Sequence, residues 1–207
     1  MALISVPAGE VATVVTVLEM RRRPALRPLP PSPLRLQPWP APAPDTYRAL
    51  FRRVGAPWLW FSRLAMDDAT LLRTIRDPAV SIHAVLDRRG IEIGLIELDH
   101  RTPGECIIAF FALVPELAGK GHGRWMMAQA LTFAWRPGVE RVSLQTCTLD
   151  HPSALGFYRA QGFVAVERRL ETFPDPRLTG LLPRDVAAHV PLLEGSSGPK
   201  PFALSRD

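Results

Sequence analysis

The chain has 207 residues, 47% of them hydrophobic, two cysteines and a formal net charge of +5. That length suits one medium domain with a core that needs no disulfide or metal, and the apolar content excludes a disordered chain. Two cysteines are too few for a disulfide framework or a four-cysteine zinc site. Five arginines (Arg21, Arg22, Arg23, Arg27 and Arg35) fall within 21–44, a stretch without acid or lysine. Without them 20 basic residues face 20 acidic ones, so the basic excess belongs to one arm. This argues against a nucleic-acid-binding body. No apolar run approaches the roughly 18–20 residues that span a bilayer, so no membrane partner is expected. The opening Met1-Ala2-Leu3-Ile4-Ser5 lacks the basic flank and apolar stretch of a secretory signal. Cys106 and Cys147 both sit in apolar segments, as reduced cytosolic cysteines do. A cytoplasmic protein is expected.

In chain order, the β-branched segment 11–20 (VATVVTVLEM) reads as a strand. It is free to pair with a sheet edge or with a second subunit of a homodimer. Nine of the 21 residues in 24–44 are proline, which excludes a helix or central strand and predicts an extended arm. Within it, 34–39 (LRLQPW) alternates as a brief edge strand would. Asp45 is placed to cap a helix over 46–54, and Asp67 to start another that stops before Pro78. Between them, Trp58-Leu-Trp-Phe61 is a dense aromatic cluster.

Strands are predicted at 80–86 and 91–99 around a turn at 87–90. The run 106–114 (CIIAFFALV) is apolar on both faces, as a central, doubly covered strand is. A helix over about 123–135, a strand over 141–147, a helix over 153–161 and a strand over 163–173 follow. This order predicts an α/β (α+β) fold: a mixed, mostly antiparallel central sheet with helices on both faces. The domain spans 34–192, with an N-terminal extension of one strand and an Arg/Pro arm over 1–33 and a disordered tail over 193–207.

Two segments carry chemistry. After the central strand, Gly119, Gly121 and Gly123 alternate at the opening of a helix. Glycine allows positive φ and lets a ligand approach bare backbone. The first amides of a helix are unpaired and the macrodipole is positive there, so the turn suits a phosphate. Lys120 and Arg124 add charge. The spacing GxGxG is neither the dinucleotide GxGxxG nor a Walker loop, since Gly121 follows Lys120 where Ser or Thr is needed. A plain glycine-rich turn is the competing reading. The second segment, 146–163, ends a strand and opens a short helix with Ala154 and Tyr158 on one face and Gly162 as its C-terminal stop. A tyrosine fixed there can donate its phenolic proton, or it can be core.

Together these segments resemble the GNAT acetyltransferase superfamily, whose loop reads [Q/R]-x-x-G-x-[G/A] after a central strand and a V-x-P turn. Gly121 and Gly123 match, after Val114-Pro115-Glu116. In the family's later helix, N-x-x-A-x-x-[L/F]-Y-x-x-x-G-F, Ala154, Phe157, Tyr158, Gly162 and Phe163 match. The resemblance implies a splayed pair of parallel strands, 106–114 and 141–147, with acetyl-CoA between them as co-substrate. Gly119, Lys120, Gly121, His122, Gly123 and Arg124 would cradle its pyrophosphate, the backbone of Leu113 and Val114 would bond the pantetheine arm, and His151 and Tyr158 would complete the site. A small-molecule or peptide primary amine would attack the thioester directly, with Tyr158 protonating the departing thiolate.

The chain departs from the pattern at Ala118, where Gln or Arg is usual, and at His151, where Asn is usual. The central strand carries Ile107 where a general base is often found. Glu97 on the neighbouring strand is the preferred substitute; Glu105 and Asp99 are alternatives, and a solvated acid is the competing reading for Glu97. Trp58, Trp60, Phe61 and Arg63 either line the acceptor pocket or belong to the core. Cys147 is read as a small buried hydrophobe before a nucleophile. His83, His100 and His189 show no ligand spacing, so no metal is expected. Two further readings remain: a non-catalytic acyl-CoA-binding module on the same fold, and an arm that docks an acidic partner or RNA and does not simply wrap the domain.

Overall fold

The computed structural model describes residues 3–25 and 30–194. Arg27 and most of the expected tail lie outside them. Seven strands and four helices follow in the order β1 (Glu10–Met20), β2 (Arg35–Pro38), α1 (Pro44–Gly55), α2 (Asp68–Ile75), β3 (Val80–Leu86), β4 (Glu92–Asp99), β5 (Glu105–Leu113), α3 (His122–Ala134), β6 (Arg141–Cys147), α4 (Ala154–Ala160) and β7 (Val164–Pro174).

Local chemistry sets the helix ends. α2 starts where expected: Asp67 accepts from the Thr70 amide at 2.7 Å. α1 starts earlier than expected. Ala43 holds its cap position and Pro44 its first turn, where a missing N–H costs nothing. Asp45 therefore lies inside the first turn, where the macrodipole favours its charge but no side-chain cap forms.

The strands form one sheet in the order β2-β3-β4-β5-β6-β1-β7. The apolar run β5 is the middle strand, as its two-faced burial demands. Only β5 and β6 run parallel; the other pairings are antiparallel. The sheet is mixed and mostly antiparallel, as the sequence implies. β2 is an edge strand on β3, again as expected.

β1 takes neither of the places the sequence left open to it. It lies inside the sheet, antiparallel to β6 from Val15↔Cys147 to Met20↔Val142 and to β7 from Glu10↔Pro174 to Glu19↔Val164. The first strand is thus an integral part of the domain and no extension of it. Both of its faces are covered, Val11 by one core and Leu18 and Met20 by the other.

Adjacent residues of a strand feed two separate cores, one on each face. Ile96 and Leu98 of β4 join Leu18, Met20, Trp125, Met126, Leu144, Tyr158 and Phe163 under α3 and α4. Leu95 joins Tyr47, Phe51, Val54 and Leu71 under α1 and α2. Beyond β7, a buried Arg177 binds Asp175 at 2.7 Å and donates to the Val190 carbonyl at 2.8 Å, so the segment after the sheet is tied down on the α1 and α2 side.

Candidate active site

The site begins with a parting of strands. β5 and β6 pair in register only from Glu105↔Arg141 to Ile108↔Leu144. The next residue of β5, Ala109, is an inserted one: Glu97 of β4 faces Phe110 while Leu98 faces Ile108. A bulge bends its strand and strengthens its twist, and β5 leaves β6 at this point. A cavity of about 410 Å³ fills the gap, a size that suits a small-molecule ligand.

The cavity passes through the sheet. Phe111, Leu113, Ala154 and Phe157 line it and pack on the core under α3 and α4. Trp60, Phe110, Ala112 and Val114 also line it and pack on the opposite core. One molecule can therefore enter from each face and the two can meet between the parted strands.

At the α3 end the backbone is prepared for an anion. Gly119 and Gly121 hold φ of 73° and 84°, the left-handed region that favours glycine. Among the described residues, the amides of Gly119, Gly121, His122 and Gly123 donate to no backbone acceptor. Gly123 serves a different purpose: a Cβ there would stand 3.3 Å from Phe157 Cε2, so glycine lets α3 and α4 close together on the cavity. Gly119, Gly121, Gly123 and Arg124 line the cavity. The side chains of Lys120 and His122 do not; Lys120 is exposed, and His122 Nδ1 lies 3.3 Å from Ser32 Oγ of the proline-rich arm.

Leu113 and Val114 both line the cavity, but their backbones differ. The Val114 amide donates to the Ile93 carbonyl at 2.9 Å and its carbonyl accepts from Leu117 at 3.0 Å. Backbone groups alternate in direction along a strand, so Leu113 presents its own to the gap. The expected pantetheine contact at Val114 is reduced to its side chain.

Tyr158 and His151 line the cavity too. Among the described residues the Tyr158 hydroxyl has no hydrogen-bond partner, although the ring is buried. Burial first, and then the charge of Asp150, push the Tyr158 pKa well up, so the phenol stays protonated at neutral pH. His151 turns Nδ1 inward to Ser153 Oγ at 2.8 Å and sets its ring edge-on to Trp58.

The base expected from the sequence stands away from the cavity. Glu97 is fully buried, does not line the cavity, and accepts from Arg63 Nη2 and Tyr47 Oη, each at 2.5 Å. The alternatives are held in the same way, Glu105 by Arg141 at 2.8 Å and Asp99 by Arg101 at 2.5 Å. Arg63 pairs with Glu97 and Phe61 packs on the Phe173 ring, and neither lines the cavity, whereas Trp58 and Trp60 do. Cys147 is half-buried outside the lining, and burial and then Asp150 raise its pKa, as suits an inert thiol.

Sequence reasoning missed Asp150. It is the only carboxylate among the described residues lining the cavity. It sits in the turn after β6, accepting from Trp60 Nε1 at 3.1 Å, Thr146 Oγ1 at 2.7 Å and the Cys147 amide at 2.9 Å. The available signal was an acid at the end of a parallel strand beside the gap.

The glycine turn with its free amides opens onto the gap between the parted parallel strands, and Tyr158 stands in the wall of that gap. Residues 36–163 match the Acetyltransferase (GNAT) family, and the chain belongs to it. No curated protein matches the chain at a significant level. Solved structures share the fold. A functionally unknown conserved protein from Staphylococcus epidermidis superposes with a TM-score of 0.54 at 13% identity, over 81% of this chain and 63% of that one. A tandem GNAT protein from the clavulanic acid biosynthesis pathway gives 0.52 at 19% identity, over 78% and 53%. An aminoglycoside acetyltransferase from an uncultured soil metagenomic sample gives 0.53 at 18% identity, over 65% and 91%. The chain thus spans less than two thirds of the first two structures. Among the described residues no helix is long and apolar enough to cross a membrane.

Proposed function

We propose that the chain is an acetyl-CoA-dependent N-acetyltransferase that moves an acetyl group to a primary amine by direct attack on the thioester. The observation that carries this reading is the cavity that runs through the sheet, from the free amides before α3 to the Tyr158 hydroxyl. The residues fit the co-substrate. The amides of Gly119, Gly121, His122 and Gly123, with Arg124, suit its diphosphate; Leu113 offers backbone to an extended arm in the manner of an added strand. Tyr158 holds a proton for the departing sulfur. Family membership supports the acyl transfer.

Calorimetric titration with acetyl-CoA, followed by thiol release on a panel of primary amines, tests the reading. Saturable binding and amine-dependent release are expected. A folded protein that binds no acetyl-CoA overturns it, and binding without release on any amine favours the non-catalytic module. Replacing Tyr158→Phe should lower kcat by about a hundredfold with acetyl-CoA affinity unchanged.

A further inference from the structure

Several carboxylates on or just beyond the sheet strands have an arginine. Glu97 has Arg63, Glu105 has Arg141, Asp99 has Arg101 and Asp175 has Arg177. Asp150 does not: among the described residues no cation lies within ion-pair distance of it. Its three partners, the Trp60 indole, the Thr146 hydroxyl and the Cys147 amide, are all neutral donors. They fix the carboxylate in place and leave its charge uncompensated. A carboxylate has about four lone-pair positions; two of those on Oδ2 are taken and one of those on Oδ1, so Oδ1 retains one for a ligand.

The surroundings suit a cation with an apolar body. Trp58 and Trp60 line the cavity beside Asp150, and Phe110 extends the aromatic wall. Indole faces attract ammonium groups, more strongly once water is excluded. The cavity is also polar from end to end in the other sense, with Arg124 and the free amides before α3 and the unpaired carboxylate at the turn after β6.

We infer that Asp150, with Trp58 and Trp60 around it, seats the acceptor nitrogen, that the acceptor is a cationic amine carrying an apolar or aromatic group, and that Asp150 takes up the proton this nitrogen loses during transfer. The inference rests on the acetyltransferase reading for the transfer step, while the cation seat is testable without it. The proton balance closes. The ammonium releases one proton to solvent and becomes a free amine. Its nitrogen forms a bond to the acetyl carbon, the carbon–sulfur bond breaks and its electron pair leaves with sulfur. Asp150 takes the second nitrogen proton and Tyr158 gives its phenolic proton to sulfur. Asp150 then gives its proton to solvent and the Tyr158 oxygen takes one back from it, and both side chains are restored.

The test uses the full chain and two matched probes, 2-phenylethylamine, an ammonium at neutral pH, and 2-phenylethanol, its neutral analogue. Both are titrated calorimetrically into protein alone and into protein saturated with CoA, where no acetyl group can move. The ammonium is expected to bind at least about tenfold more tightly than the alcohol. Asp150→Asn should remove that preference, and Trp58→Leu should weaken both probes, the ammonium more than the alcohol. Affinity for CoA should stay the same in both variants. Equal binding of the two probes to the unaltered protein overturns the proposal, as does a folded Asp150→Asn protein that keeps the preference. If Asp150→Asn does not fold, the Asp150 carboxyl carbon is followed by NMR in carbon-labelled protein. A shift with the amine and none with the alcohol supports the seat, and no shift overturns it. Failure to bind CoA, by contrast, strikes the acetyltransferase reading and leaves the ammonium preference to be read from the protein alone.

Discussion

Arg63 and Glu97 form an ion pair of 2.5 Å, with side-chain exposures of 12% and 1%. The guanidinium also stands over the Phe110 ring, 4.9 Å from its centroid, and Tyr47 donates to the other Glu97 oxygen. Burial alone would lower the Arg63 pKa, but the adjacent Glu97 charge raises it on balance. A carboxylate that the sequence offers as a base is, in the fold, half of a core ion pair beneath the cavity wall.

Removing one partner of that pair leaves a buried charge unmatched. Arg63→Met should destabilise the protein by about 3–5 kcal/mol in denaturant unfolding. The double change Arg63→Met with Glu97→Leu should cost much less than the two single changes together. Acetyl-CoA affinity of whatever remains folded should be unaltered, since neither side chain lines the cavity. A large loss of turnover in Glu97→Gln with full stability would contradict this placement.

The chain has two tyrosines, and both are held neutral. Burial and then Glu97 raise the Tyr47 pKa well above its ordinary 10.0; burial and then Asp150 do the same for Tyr158. A phenol whose pKa is raised on folding stabilises the native state below the unfolded pKa, and that contribution is lost as pH climbs past it. Ultraviolet titration should therefore show no phenolate signal near pH 10 in the folded protein, and both tyrosines should ionise together as alkali unfolds it. An ordinary tyrosine titration before unfolding would refute the burial of one of them.

Asp175 responds to acid in the opposite sense. Burial works to raise its pKa, but hydrogen bonds from the Arg177 side chain and amide, and the Arg177 charge, bring it below 3.8 on balance. A depressed carboxylate stabilises the fold above the unfolded pKa, and this stability is lost as pH falls through the folded value. Below about pH 4 the unaltered protein should lose stability more steeply than Asp175→Asn, measured by denaturant midpoints at a series of pH values. Parallel curves would remove the pair from the acid response.

Local pattern carried most of the elements. The strand over Arg141–Cys147 falls where the sequence places it, and the Asp67 cap and the Gly162 stop at φ of 99° follow from residue chemistry alone. The glycine turn and Tyr158 reach the cavity because their roles depend on a strand–turn–helix order that the chain spells out. What the sequence could not show depends on distance along the chain. Glu97 is engaged by Arg63 and Tyr47, 34 and 50 positions away. Asp150 stood unnoticed because its meaning comes from Trp60, 90 positions away. Nothing in the alternation of 11–20 says which two strands it will separate.

That last placement bears on how the molecule is made. Among the described strands β1 comes first along the chain, yet the two it pairs with, β6 and β7, come last. Until those two are made a β-branched segment waits without a neighbour, and pairings this remote form slowly. An unpaired β-branched strand of this kind is open to pairing with other chains until β6 and β7 close around it.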